Sequence, residues 1–269
     1  MPVTDSRRLR ERLDAALDAA ARAPDAPAPP DGDARARLVA FVELLARWNR
    51  VWNLTAVREP AEMLDRHVLD ALTLLPFVDA ELGAGPGTGS GAGSEGRNAD
   101  DRDGGQGRGP DAPPRFDLID VGSGAGLPGL VLAIVRPGLD LLSIERTSKK
   151  ARFQRQAAIE LGLGRAVVRD ERVEAVRARA PLVTSRAFAA PAGFLTAAGA
   201  LTAPGGAALV MLGRAERLPG TLPEGWTLER TAAVAGASDR TSGAAAGDGA
   251  PARHVALCRR TPIPYDRAP

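Results

Sequence analysis

Cysteine and histidine are scarce in this chain of 269 residues, which contains one cysteine and two histidines. Cys258 has no second cysteine with which to form an intrachain disulfide, and a zinc site built on several cysteines is excluded for the same reason. Two histidines do not indicate a metal centre either. We therefore expect a protein that holds no metal.

Aromatic residues and lysines are also few. Aromatics make up 4% of the chain, so aliphatic side chains must fill most of any core. The only lysines are Lys149 and Lys150, and the abundance of Ala, Gly, Pro and Arg is typical of a GC-rich coding sequence. The number of arginines therefore carries little functional information. The formal net charge of +2 permits an RNA partner without arguing for one.

Long apolar runs are missing as well, and no segment has the length needed to cross a membrane. The first residues mix arginines with acids where a signal peptide would have an apolar centre. We expect a cytoplasmic protein with no membrane contact.

Two segments of low complexity divide the chain. Residues 23–33 are rich in proline and are predicted to be an extended linker, and residues 83–115 combine glycine, proline and charge and are predicted to be a disordered insertion. The predicted organisation is a flexible segment at 1–34, a helical part at 35–82, the insertion at 83–115 and a sheet-containing domain at 116–269.

Apolar periodicity indicates the fold class. Spacings of three and four predict helices over residues 1–20, 34–49 and 60–77. Short apolar runs at 116–121, 139–144, 164–170, 182–185 and 207–212 alternate with helical patterns, which predicts an α/β fold with a parallel sheet. Residues 226–234 and 253–260 predict a terminal antiparallel hairpin. This layout is that of a methyltransferase sheet and differs from the all-parallel sheet of a dehydrogenase.

The glycine-rich turn after the first predicted strand is the strongest candidate for a ligand site. Gly124, Gly126 and Gly129 match GxGxxG, the dinucleotide fingerprint. A second frame, DxGxGxG, begins at Asp120 and includes Gly122. A pyrophosphate disfavours a carboxylate beside the loop, whereas the ammonium and sulfonium of S-adenosylmethionine favour one. Both cofactors stay open at this point.

Other candidate residues follow the ends of later predicted strands. Glu145 ends the second strand and could accept hydrogen bonds from both hydroxyls of a ribose. Val173-Glu174 and Arg186 follow the third and fourth strands. Ligands of open α/β sheets bind along this edge, which favours a site there.

The charged and titratable side chains on the predicted helices can each be interpreted in two ways. Lys149, Lys150 and Arg152 lie on the helix after Glu145 and either contact RNA phosphates or form a solvated face. His67 and Asp70 are three residues apart on one predicted helix and can touch, either as a half-buried structural pair or as part of the site.

Four motifs, in this order and spacing, resemble the RsmG (GidB) family of methyltransferases. They are WNxxxNLTxVRxPxEMxxRHxxD at 48–70, DVGSGAGLPGL at 120–130, RVE at 172–174 and SRAFA at 185–189. The resemblance covers about residues 38–81 and 116–217, and it implies a Rossmann-like methyltransferase sheet with N-terminal helices packed on it. It implies transfer of a methyl group from S-adenosylmethionine to N7 of a guanine in bacterial 16S rRNA, with the RNA or the small ribosomal subunit as partner, and we expect a monomer.

The resemblance also implies cofactor contacts. Carried over by motif, they fall on Gly122 and Leu127 of the first loop, on the Val173-Glu174 pair near the adenine, and on Arg186. Glu145, already a candidate from its position, takes the place of the residue that contacts the ribose.

The chain departs from the family pattern at two places. Ala71 stands where the family commonly has serine, and Leu212 stands where it commonly has a lysine after the fifth strand. If that lysine meets RNA, Arg214 replaces it or the contact is lost.

Guanine N7 carries an in-plane lone pair and no proton, so methyl transfer to it needs alignment more than a general base. No catalytic residue is therefore singled out. Methylation of a pyrimidine carbon would need a cysteine nucleophile, and Cys258 lies in the last predicted strand, away from the site. Two other hypotheses stay open, an NAD(P)-linked oxidoreductase that uses GxGxxG and an RNA-binding protein without activity.

Overall fold

The structure is a computed structural model and describes residues 6–23, 26–83, 113–186, 190–212, 218–234 and 253–261. The helices of this part of the chain are α1 (Ser6–Ala20), α2 (Gly32–Trp52), α3 (Pro60–Met63), α4 (Asp70–Leu72), α5 (Leu75–Leu82), α6 (Gly129–Val135), α7 (Ser148–Glu160) and α8 (Pro191–Gly199). A π-helical turn, Leu64–Leu69, joins α3 to α4, and Val173–Ala175 form a 3-10 turn. The strands are β1 (Leu118–Val121), β2 (Leu141–Ile144), β3 (Ala166–Arg169), β4 (Ala180–Ser185), β5 (Thr202–Leu212), β6 (Trp226–Val234) and β7 (Arg253–Arg260).

Seven strands of the described chain form one sheet in the order β3-β2-β1-β4-β5-β7-β6. The pairs among β1 to β5 are parallel, and β7 runs antiparallel to both β5 and β6. Strand order reverses between β1 and β4, and such a switch point is where open α/β sheets bind ligands. The predicted Rossmann-like α/β sheet with a C-terminal hairpin is confirmed.

The N-terminal helices pack over one face of the sheet through α6, whose seven residues are all buried. Apolar side chains of α1 and α2, such as Leu13 and Leu38, belong to the same core cluster as α6. Phe41 of α2 also meets Phe153 of α7, with ring centroids 6.1 Å apart. A helix that is apolar all round fits this position because it is covered on both sides.

The structure differs from the predicted helices in two places. The first is α2, which continues to Trp52 and ends where Asn53 adopts a left-handed φ of 47°. The second is the single helix predicted over residues 60–77, which is interrupted by the π-helical turn and again after Leu72. Pro76 stands in the first turn of α5, where its missing N–H is tolerated, so a new helix begins there.

Most of the insertion predicted at 83–115 lies outside the described residues, and so does much of the segment between β6 and β7. The helices that are described are all too short or too polar to cross a membrane.

Candidate active site

The loop between β1 and α6 turns through three glycines with positive φ, Gly122 at 66°, Gly124 at 59° and Gly126 at 80°. Residues with a side chain rarely adopt this conformation. At Gly126 space is limiting too, since a Cβ there would lie 2.4 Å from Cδ1 of Leu130. Around Gly124, by contrast, the position of a Cβ is open. The loop therefore needs Gly126 for packing and Gly124 for its backbone angle.

The backbone amides of this loop are largely bonded within the protein. Those of Gly122 and Ser123 donate to the carbonyl oxygen of Ile144 at 2.9 and 3.2 Å. Those of Gly126 and Leu127 donate to the carbonyl oxygen of Ser123 at 2.9 and 2.8 Å. The loop thus closes on itself and on the end of β2, and few of its amides are left for a ligand.

Glu145 follows β2 and is held by two backbone amides. Its Oε2 accepts from the amide of Gly124 at 2.8 Å, and its Oε1 accepts from the amide of Thr147 at 2.7 Å. Each carboxylate oxygen has a second lone pair, so both can still accept a hydroxyl. The position predicted for a ribose contact is therefore fixed in orientation.

Asp120 lies beneath the loop and is fully buried. Its Oδ2 accepts a hydrogen bond from the amide of Gly129 at 2.8 Å, whereas its Oδ1 has no partner among the described residues. Burial raises the pKa of this carboxyl to about 7, and the Gly129 amide and the Arg186 charge oppose the shift. A buried acceptor without a partner favours a cationic ligand group near it.

A cavity of about 210 Å³ opens at the carboxyl ends of β1 and β2. Four of the predicted cofactor residues line it: Gly122, Glu145, Val173 and Glu174. Lys150, which the sequence suggested for RNA, lines the same cavity. Lys150 therefore lies beside the cavity as well as on the helix predicted to contact RNA.

The other predicted cofactor residues are not part of the cavity wall. Asp120 and Leu127 are 0% and 4% exposed, and Gly124 and Gly126 shape the loop. Arg186 lies at the end of β4, the next strand along the edge. The four residues of β1 and the glycine loop therefore support the cavity wall, and Arg186 extends the carboxyl edge of the sheet beyond the cavity.

A buried polar cluster that the sequence analysis missed holds the glycine loop from α7. Gln154 is 0% exposed, and its Nε2 donates to the carbonyl oxygen of Gly124 at 2.8 Å and to Oγ of Ser123 at 2.7 Å. Oγ of Ser143 donates to Oε1 of Gln154 at 2.6 Å. The available signal was a glutamine on the apolar stripe of a helix, which requires buried partners.

Arg186 is bound by three acceptors on consecutive turns of one helical segment. Its Nη1 donates to the carbonyl oxygen of Arg66 at 2.9 Å and to Oδ2 of Asp70 at 3.3 Å, and its Nη2 bonds to Nδ1 of His67 at 2.9 Å. Arg253 of β7 forms an ion pair with the same Asp70. The predicted direct contact between His67 and Asp70 is absent among the described residues, because both face Arg186.

His67 is bonded on its second ring nitrogen as well. Its Nε2 lies 2.8 Å from Oγ1 of Thr55, and the amide of Thr55 donates to Oδ1 of Asn49 at 2.9 Å. Burial, and after it the charge of Arg186, lower the pKa of His67 to about 4. The imidazole is therefore neutral near pH 7. It bonds to Thr55 of the motif at 48–70 and to Arg186 of the motif at 185–189, so these two motifs meet at His67.

Comparison with known proteins adds the family. A family model described as rRNA small subunit methyltransferase G matches residues 34–96 and 111–218. This chain belongs to that family. The ribosomal RNA small subunit methyltransferase G of Azoarcus sp. (strain BH72) is 40% identical over 200 residues, which are 73% of this chain and 78% of that protein. That of Alkalilimnicola ehrlichii is 40% identical over 187 residues, 69% of each chain.

Among solved structures, the O-methyltransferase TomG of Streptomyces achromogenes has a TM-score of 0.48 and 13% identity, covering 84% of this chain and 90% of its own. The family assignment does not depend on this likeness. It rests on the sequence matches, which confirm the resemblance to RsmG.

Three of the four residues suggested for RNA lie on α7. Lys149 and Arg152 are exposed on α7, whereas Arg214 lies outside the described residues. Ala71 and Leu212, the two departures from the family pattern, are 0% and 5% exposed. Both departures are therefore apolar residues of the core.

The described residues support neither a cysteine nucleophile nor a metal-binding site. Cys258 is buried on β7, two strands beyond β4, and burial raises the pKa of its thiol to about 11. A thiol in that state is a poor nucleophile. No group of three His, Cys, Asp or Glu side chains in the described part of the chain could hold a metal ion.

Proposed function

We propose that the protein transfers a methyl group from S-adenosylmethionine to N7 of a guanine in 16S rRNA, in the free RNA or in the small ribosomal subunit. Membership of the rRNA small subunit methyltransferase G family supports the reaction and the substrate class. The cavity at the carboxyl ends of β1 and β2 supports the place of the cofactor.

The observation that supports the proposal most directly is the hydrogen bonding of the backbone amides in the glycine loop. A dinucleotide pyrophosphate needs free amides at a helix N-terminus. Here the amides of Gly124 and Gly129 already donate to the carboxylates of Glu145 and Asp120. The carboxylate of Glu145, together with Asp120 in its ionised form, would repel a phosphate at this place, whereas both attract the ammonium and sulfonium of S-adenosylmethionine. The interpretation of the loop as part of a methyltransferase site is therefore favoured over the interpretation of GxGxxG as a dinucleotide-binding loop.

The residues present fit the parts of this cofactor. Glu145 lines the cavity and offers a lone pair on each oxygen to a vicinal diol. Val173 contributes an apolar side chain to the same wall, which suits the face of an adenine. We assign Glu145 to the ribose and Val173 to the adenine. Asp120 lies behind the cavity wall, where its charge acts on the ammonium group without a direct contact.

S-adenosylmethionine, when bound, supplies the methyl group on a positively charged sulfur. The acceptor N7 has no proton to lose, so the protein needs no general base. Its side chains have to align the two reactants and exclude water, and carboxylates near the site stabilise the positive charge as it moves to the base. Arg186, at the end of β4, is placed to orient a ligand at this edge.

The direct test is methyl transfer to small-subunit rRNA from cofactor with a labelled methyl group, followed by cleavage at N7-methylguanine. We expect one labelled guanine. In Glu145→Gln, one of the two backbone amides loses its acceptor and a ribose hydroxyl loses a charged partner. The affinity for S-adenosylhomocysteine should fall about tenfold or more, measured by calorimetry. Glu62→Gln, on the exposed start of α3, is the matched control and should bind normally.

The alternatives predict different results in the same experiments. An NAD(P)-linked oxidoreductase should be stabilised against heat by NADH, and S-adenosylhomocysteine should leave its melting temperature unchanged. An RNA-binding protein without activity should retain the RNA and transfer no label. Either outcome would contradict the proposed methyl transfer.

A further inference from the structure

We infer that His67 is a positioning residue that holds the guanidinium of Arg186 at the carboxyl edge of the sheet by accepting a hydrogen bond on Nδ1. The inference deepens the proposed function, on which the role of Arg186 in methyl transfer rests. It concerns a residue of the N-terminal helical layer acting on a residue of the sheet domain, 119 positions apart in the chain.

The π-helical turn creates the place where Arg186 is bound. A π turn displaces side chains and carbonyls from the positions of a regular α-helix, and such turns are frequent at functional sites. Here the turn Leu64–Leu69 contains both Arg66, whose carbonyl accepts from Nη1, and His67, whose ring accepts from Nη2. Asp70 follows directly and accepts from Nη1 as well. Both terminal nitrogens of the guanidinium are thereby fixed from one side.

Two N–H groups of Arg186 have no acceptor within the described part of the chain. Besides the groups that bond Arg66, His67 and Asp70, the guanidinium has its Nε–H and the second N–H of Nη2. The side chain is 22% exposed, so part of it can be reached from outside. Loss of the acceptor on His67 would release Nη2 and let the guanidinium rotate.

The tautomer of His67 follows from its two partners. Arginine only donates hydrogen bonds, so Nδ1 of His67 must be the unprotonated nitrogen. The proton is then on Nε2 and is donated to Oγ1 of Thr55 at 2.8 Å. Thr55 is held in place by its own amide, which donates to Asn49. Both nitrogens are occupied, so the ring orientation is fixed.

The surroundings keep this tautomer neutral. Three arginines, Arg66, Arg186 and Arg253, act on the ring electrostatically, and burial is the larger effect. A protonated ring would lose its acceptor and repel Arg186. General-base catalysis by His67 is not required, since guanine N7 has no proton to remove. The role that remains for its Nδ1 is to orient Arg186.

Two substitutions separate the two nitrogens. In His67→Asn the amide oxygen takes about the place of Nδ1 and keeps an acceptor for Arg186. In His67→Gln the longer side chain takes about the place of Nε2 and keeps only the contact with Thr55. We expect His67→Asn to retain kcat/KM for methyl transfer within about threefold and His67→Gln to lose about tenfold or more, which corresponds to one charge-assisted hydrogen bond.

Thr55→Val is the matched control, because it removes the Nε2 contact and leaves the bond from Arg186 in place. Its kcat/KM should exceed that of His67→Gln, and unfolding curves of all three variants show that the comparison is between folded proteins. Equal activity of the Asn and Gln variants, or a more active Gln variant, would overturn the inference.

A second measurement needs no activity. In wild-type protein, the 15N NMR pattern of the His67 ring should be that of the neutral tautomer protonated on Nε2, unchanged between about pH 5 and pH 8. A ring protonated on Nδ1, or one that titrates in this range, would contradict the inference. Absence of methyl transfer by the wild type would instead remove the proposed function and leave the NMR result to decide on the tautomer.

Discussion

At the scale of single residues, the buried side chain of Gln154 bonds to Gly124 and Ser123 of the glycine loop and to Ser143 of β2. In Gln154→Leu the carbonyl of Gly124 loses its buried donor, and the hydroxyls of Ser123 and Ser143 lose one partner each and keep the bond between them. We expect the free energy of unfolding to fall by about 1–3 kcal/mol, measured in urea, and the affinity for S-adenosylhomocysteine to fall with it.

Gln156→Leu is the matched control on the same helix. Gln156 is only partly buried and bonds to Glu160 at 2.9 Å on the surface. Loss of this surface hydrogen bond in Gln156→Leu should change the free energy of unfolding by less than about 0.5 kcal/mol. If both variants lose the same stability and bind alike, the buried cluster does not support the loop.

At the scale of elements, a largely buried ion pair links α5 of the helical layer to the end of α6 in the sheet domain. Nε of Arg136, at the end of α6, donates to Oδ1 of Asp79 on α5 at 2.8 Å, and the side chains are 6% and 20% exposed. Asp79→Asn leaves a buried guanidinium without a charged partner. We expect a loss of about 3 kcal/mol in the free energy of unfolding, measured in urea.

A second ion pair between the same two parts of the molecule provides the comparison. Arg47 of α2 and Glu160 of α7 are 3.2 Å apart, with side chains 61% and 39% exposed. Glu160→Gln should cost less than about 1 kcal/mol, because water screens the pair and already solvates both groups. Equal losses in Asp79→Asn and Glu160→Gln would show that burial of the first pair has no energetic consequence.

For the whole molecule, two buried groups of the site act on stability in opposite directions as pH changes. The pKa of Asp120 is raised from 3.8 to about 7, so between these values the folded state binds more protons than the unfolded state. Its contribution to the free energy of unfolding therefore falls as pH rises. The pKa of His67 is lowered from 6.5 to about 4, so its contribution rises with pH over that range.

Single substitutions should separate the two contributions. Compared with wild type, Asp120→Asn should make the slope of unfolding free energy against pH more positive between about pH 4 and pH 7, and His67→Asn should make it more negative between about pH 4 and pH 6.5. Urea unfolding at half-unit intervals of pH gives both slopes. Curves parallel to that of wild type would contradict the shifted pKa values.

The sequence predicted most of the fold and part of the site. β6 and β7 have the predicted bounds, and the α/β alternation matches the observed sheet. The continuous helix predicted over residues 60–77 was wrong, because apolar periodicity does not distinguish an α turn from a π turn. Gln154 was missed since a polar residue on a helix face shows no partner until α7 is packed on the loop.

What the sequence by itself determined is the set of local elements, the glycine turn and the family, because these depend on residues a few positions apart. Only the tertiary structure decided that Asp120 is buried and that Lys150 lines the cavity. It also decided that His67 bonds Arg186 across 119 positions of the chain. The physical reason is that burial and hydrogen bonding depend on which surfaces meet, and helix packing on the sheet sets those contacts.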